Sequence, residues 1–289
     1  MPAERRRGAF CGAVSVEPRL RLSVSSAVCK RGTAEAVVGR ATLLKRHEPI
    51  FNVPGVVLVV LGLCGFVHVL RWLLPADQDA WLTAALAFIP MRLSSGVADQ
   101  LPGGDPATIT SFFTHLFVHG DTTHLLVNMA WLLAFGSPVA RRTQPGRFLA
   151  FFFLCGIAGA LFFVLVNGRV LTLVVGASGA ISGLMGGAMR FFFANLGPGG
   201  RIEADAPLHE APLMSLATTV RDRRILLAMV GWTILNIVLA WGATSLTDGA
   251  GIAWEAHVGG FYVGLLSYGL FDRGAGADKA ALENAADAE

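Results

Sequence analysis

Apolar residues in this chain run on in blocks approaching the roughly 20 residues a helix needs to cross the hydrocarbon core of a bilayer, instead of recurring at amphipathic spacing. Six blocks stand out, at residues 53–74, 123–140, 147–166, 176–194, 225–243 and 253–271, and the later ones are shorter and richer in glycine than the first. Pro75 closes the first block, and a long connection, 76–122, follows it. Within it Trp81–Ile89 is apolar but too short to cross and is bounded by Pro90, so it reads as an interfacial or re-entrant element. Connections of this length are seldom idle, and a lateral wedge or gate is one role for it. Asn195–Arg224, punctuated by Pro and Gly, and the acidic, Ala-rich tail from Asp272 read as solvated connections or disorder. The pattern predicts an all-α polytopic membrane protein. A six-transmembrane-helix domain spans 51–271, after a flexible basic segment at 1–50 and before a disordered tail at 272–289.

Composition agrees: 54% of residues are hydrophobic, 15% are charged and the mean hydropathy is +0.58, whereas a soluble domain carries about a quarter charged residues. Residues 1–50 hold ten Lys/Arg against four Asp/Glu and contain no apolar core of a secretory signal peptide. A transit peptide or an upstream-extended start is the other reading of that segment. The positive excess reads as membrane topology, with no nucleic-acid partner. Six spans put both termini on one side. That side carries 20 Lys/Arg and the other only Arg71, Arg92 and Arg169, so both termini are expected in the cytoplasm, the membrane being a bacterial inner membrane. The cysteines at 11, 29, 64 and 155 form no CxxC or Cys/His ligand spacing, so neither a disulfide framework nor a zinc site follows.

Polar groups inside apolar spans are costly and mark either function or a buried network. The fourth span opens with Gly176-Ala177-Ser178-Gly179. A serine in the first turn of a helix sits beside unpaired backbone N–H groups and the positive end of the helix dipole, where an oxyanion is stabilised. The plainer reading is a small-residue helix whose Ser178 bonds a carbonyl one turn back. Gly179, Gly183 and Gly187 share one face, open to close approach by another helix. In the sixth span, Gly260 and Gly264 lie on the face of His257 and form a second such surface. Packing the two faces together brings Ser178 within reach of His257. His124 and Asn128, at i and i+4 in the second span, supply two donors at the same depth, or else a mutually satisfied polar pair. The chemistry that follows is a serine activated by an adjacent base, with separate donors for the developing oxyanion. Glu255 is two residues from His257 and faces elsewhere, so it reads as interfacial or capping, and a dyad is expected. Ser182, the rival nucleophile, lies one turn deeper, away from the free N–H groups. No HExxH occurs, and the spans hold no paired carboxylates for a metalloprotease.

Assembled, His124-x-x-x-Asn128, Gly176-Ala177-Ser178-Gly179 and Ala256-His257-Val258-Gly259-Gly260 with Gly264 make the chain resemble a rhomboid-family intramembrane serine protease over about residues 50–271. The resemblance implies a compact rhomboid-like helical bundle with a water-filled cavity open to the non-cytoplasmic side. It also implies a Ser178/His257 dyad assisted by His124 and Asn128, cleavage of single-span membrane proteins near their membrane boundary, and no metal or cofactor. His115 and His119 match histidines that shape the base of the first loop and the water path. One departure is that some members place a tyrosine one turn after the nucleophile, stacked on the catalytic histidine. Here that position is Ser182, and whatever holds the His257 ring comes from elsewhere. The partners implied are transmembrane protein substrates and the lipid bilayer. A pseudoprotease that binds or escorts membrane helices is the non-enzymatic alternative, although the chain keeps both serine and histidine. A small-solute transporter is a third, disfavoured by the absence of an inverted repeat and of mid-span charge pairs.

Overall fold

The computed structural model describes residues 53–196, 211–246 and 253–273. The basic segment at 1–50, the centre of the 195–224 connection and the tail beyond Arg273 lie outside the described residues.

Helix α1 (Gly55–Trp72) starts after Pro54 and stops before Pro75, which has no N–H to continue it. Helix α2 (Ala76–Leu86) follows at once, with Asp77 and Asp79 in a first turn whose dipole favours negative charge. It buries none of its residues. Two single 3₁₀ turns lead to α3 (Pro106–Thr114), and a third, His115–Phe117, leads towards α4 (Thr122–Trp131). Asp121 caps α4 by accepting the His124 N–H at 2.9 Å. The second span is not the uninterrupted helix expected over 123–140. It widens into a π-turn at Leu132–Gly136 before α5 (Ser137–Arg142). Pro138, which can neither donate to the preceding turn nor tolerate its carbonyl, accounts for the local widening.

Helix α6 (Pro145–Asn167) ends at Gly168, and α7 (Ser178–Phe192) begins at the candidate nucleophile. The short α8 (Leu216–Arg221) precedes α9 (Arg223–Leu246), and α10 (Trp254–Ser267) closes the bundle. Every expected span is thus helical. The α1, α4–α5, α6 and α9 stretches are long and apolar enough to cross a membrane. The remaining two, α7 with 15 residues and α10 with 14, are shorter and more enclosed.

Helix α7 is the hub: each residue from Gly179 to Ala188 is buried. The glycine faces read from the sequence meet. A Cβ on Gly260 would fall onto the Gly179 carbonyl oxygen, and one on Gly264 onto that of Gly183. Helix α6 closes the third side, because a Cβ on Gly159 would lie 2.5 Å from the Ala256 carbonyl oxygen and one on Gly183 would overlap Cys155. Beneath this contact Phe148, Phe151, Phe152, Leu184, Phe191 and Tyr268 form a fully buried floor. In contrast, α1 and α9 expose Leu58, Val59, Phe66, Leu227, Ile234 and Val238, an apolar exterior suited to lipid.

At the opposite end from Ser178, two expectations change. Asp272, read as the start of a solvated tail, has a side chain only 2% exposed and is ion-paired with Arg142 at 2.7 Å. Arg142 also donates to the Ala211 carbonyl at 2.6 Å, and the Met214 carbonyl accepts from Arg190. The end of the fourth connection is therefore pinned to the bundle, because buried guanidinium groups draw the free carbonyls of a loop onto themselves.

Candidate active site

Ser178 is the first residue of α7, so its N–H and those of Gly179 and Ala180 have no intrahelical acceptor; the first helical bond runs from Ile181 to Ala177. His257 comes from the first turn of α10. Its Nε2 lies 2.7 Å from Ser178 Oγ, and both residues are half-buried. The interhelical contact that makes this possible is the packing of Gly260 on Gly179 and of Gly264 on Gly183, one and two turns beyond His257 on α10.

The segment leading into α7 is held from two sides. Phe88 and Val174 form an isolated antiparallel bridge, which ties the first connection to the third. The Gly176 N–H donates to the His115 carbonyl at 2.9 Å. Gly176 has φ +112°, and a Cβ there would lie 2.8 Å from His124 Cε1 and Nε2 and 3.8 Å from Ser178 Oγ. Only glycine serves, on grounds of both backbone conformation and space. Those distances also bring the edge of the His124 ring and the Ser178 hydroxyl to the same point of the chain.

His124 Nδ1 accepts the Gly120 N–H at 3.4 Å, so in the neutral ring Nε2 carries the proton and faces the Gly176–Ser178 segment as a donor. Asn128, 4% exposed, donates one Nδ2 hydrogen to the His124 carbonyl at 2.8 Å, which leaves its second N–H for another acceptor. His124 and Asn128 side chains therefore do not bond each other as a closed pair.

The family model for the rhomboid domain matches residues 106–273, more than half of the chain. The chain belongs to the rhomboid family. No curated protein sequence matches it. Among rhomboid features expected from the sequence, His115 is buried and bonded through Nδ1 to the Ser111 carbonyl at 2.7 Å. His119 is also buried and lies edge-on to His124 with ring centroids 5.1 Å apart. Glu255 is buried in the first turn of α10 and accepts from Asn167 at the end of α6 at 2.8 Å. Ser182 is buried one turn below Ser178.

Sequence reasoning missed Asn236 of α9. Its Oδ1 lies 2.7 Å from His257 Nδ1, and its Nδ2 donates to the Trp232 carbonyl at 2.9 Å. In this rhomboid the missing tyrosine at 182 has a counterpart of a different kind, a buried amide on a third helix. The available signal was an amide within an otherwise apolar span, which is costly unless paired.

Proposed function

We propose that this rhomboid-family protein is a serine endopeptidase that cleaves single-span membrane proteins within or near the bilayer. The observation that supports this reading most strongly is the 2.7 Å contact between His257 Nε2 and Ser178 Oγ at the unpaired N-terminal turn of a buried helix. As Ser178 Oγ bonds to the scissile carbonyl carbon, His257 Nε2 takes the hydroxyl proton. The carbonyl oxygen, now negative, faces the His124 Nε2–H, the free N–H of Asn128 and the Ser178 backbone N–H. Collapse breaks the C–N bond, His257 returns the proton to the leaving amine, and water then releases the acyl group by the same steps in reverse order.

Depth supports an intramembrane substrate. Fifteen residues of α7 span about 22 Å at 1.5 Å per residue, against a hydrocarbon core of about 30 Å, so a site at one end of α7 sits below one membrane surface. On this proposal that surface is the non-cytoplasmic one, both termini being cytoplasmic by the Lys/Arg distribution. The test is cleavage of a reconstituted single-span substrate. Ser178→Ala and His257→Ala should each abolish it, the double variant should be no worse, and Ser182→Ala should retain most of it. Activity in Ser178→Ala overturns the proposal.

A further inference from the structure

We infer that Asn236 is the positioning residue of the catalytic histidine, so that the working unit is a Ser178-His257-Asn236 chain drawn from three helices. The inference rests on the protease reading above and adds to it the group that fixes the base. The tautomer of His257 depends on which end of the Asn236 amide faces the imidazole. The Trp232 carbonyl lies 2.9 Å from one end of that amide, and a carbonyl only accepts, so that end is Nδ2. Reversing the amide would set two oxygens against each other. Oδ1 is thereby committed to His257 Nδ1 at 2.7 Å, and because Oδ1 only accepts, Nδ1 must carry the hydrogen. The neutral ring then presents its lone pair at Nε2, the atom 2.7 Å from Ser178 Oγ. An ordinary helical i−4 contact on α9 thus selects the tautomer able to accept the serine proton.

Burial strengthens the assignment. Asn236 is 4% exposed, on a helix whose neighbouring positions Ile234, Leu235, Val238 and Leu239 face outward, so its amide is held away from competing solvent. The Thr233 hydroxyl meets the Tyr262 hydroxyl at 3.1 Å one turn earlier, which fixes the register of α9 against α10 at the level that aligns the amide with the ring. Glu255, the acidic residue nearest in sequence, is engaged by Asn167 and does not compete for Nδ1.

The experiment uses the full chain in detergent, with kcat and KM on a single-span substrate measured beside a melting curve. Asn236→Leu keeps the branched shape and the number of side-chain heavy atoms and suits an apolar helix but removes the acceptor. Its kcat should fall about 10- to 1,000-fold, with KM changed less than about 2-fold and melting near wild type, since wrong-tautomer triads retain geometry while losing turnover. Asn236→Ala should behave alike and serves if the leucine is poorly accommodated. Asn236→Asp, protonated towards the Trp232 carbonyl and accepting from Nδ1 through its other oxygen, should recover to within about tenfold of wild type. A stable Asn236→Leu or Asn236→Ala with wild-type kcat overturns the inference alone. So does an Asn236→Asp that falls as far as the leucine while all variants lose melting temperature together, the signature of a structural contact. A wild type that neither cleaves substrate nor reacts at Ser178 overturns the protease reading, and this inference with it.

Discussion

Gly264→Ala tests the packing on which the site depends. A Cβ at Gly264 falls on the Gly183 carbonyl oxygen and lies 2.5 Å from Gly183 Cα and 2.6 Å from Gly183 C. All three are backbone atoms of α7, so no rotamer change relieves the clash. Restoring ordinary carbon–carbon separation of about 3.5 Å requires α7 and α10 to part by about 1 Å. Overpacking of this kind costs about 1–3 kcal/mol, or about 2–12 °C in melting temperature on the scale of a domain of 150 to 250 residues. The same displacement takes His257 Nε2 and Ser178 Oγ out of their 2.7 Å contact, and a misplacement of about 1 Å lowers turnover about 100-fold. Gly62→Ala is the control, because a Cβ there meets nothing within 4 Å and gains the same helix propensity of about 1 kcal/mol. Both variants are melted in one detergent and assayed on one single-span substrate. A Gly264→Ala protein that melts with Gly62→Ala and cleaves normally would refute the reasoning.

Two further expectations follow from the oxyanion donors and the first connection. Asn128→Ala should lower kcat about 10- to 1,000-fold with little change in KM or melting, because the donated bond strengthens only as charge develops; normal kcat in a stable variant would remove Asn128 from the mechanism. Arg71 at the end of α1 donates to Asp79 at 2.7 Å, and this hydrogen bond holds the Asp79 carboxyl below its ordinary value. A depressed folded value means stability that is present above the unfolded value and lost as pH falls through the folded one. Wild type should therefore lose about 0–1 kcal/mol more stability than Asp79→Asn on acidification through that window, read as a larger fall in melting temperature. Parallel curves for the two proteins would show that the pair contributes nothing.

The spans were legible because long apolar runs have few alternatives to membrane helices. α6 and α9 differ from the expected 147–166 and 225–243 by no more than three residues at any end. The π-turn at Leu132–Gly136 was not legible, since Pro138 announces a disturbance but not the form that relieves it. Ser178 and His257 could be paired from sequence because glycine faces specify which helices touch and at what height. Asn236 could not be found in this way. Helix α9 meets α10 through single side chains such as Thr233, Asn236 and Tyr262, and no periodic small-residue face encodes its rotation or register. Asp272 escaped for a related reason, because its partner Arg142 lies 130 residues earlier and charge alone does not reveal a buried pair.

On the proposed mechanism Ser178 is a nucleophile activated by His257. This is tested most directly by treating the purified full chain with a fluorophosphonate and mapping the modified residue. A single adduct is expected on Ser178, absent from Ser178→Ala and greatly slowed in His257→Ala, with Ser182 unmodified. Labelling at Ser182, or labelling of Ser178 that is indifferent to loss of His257, would contradict it.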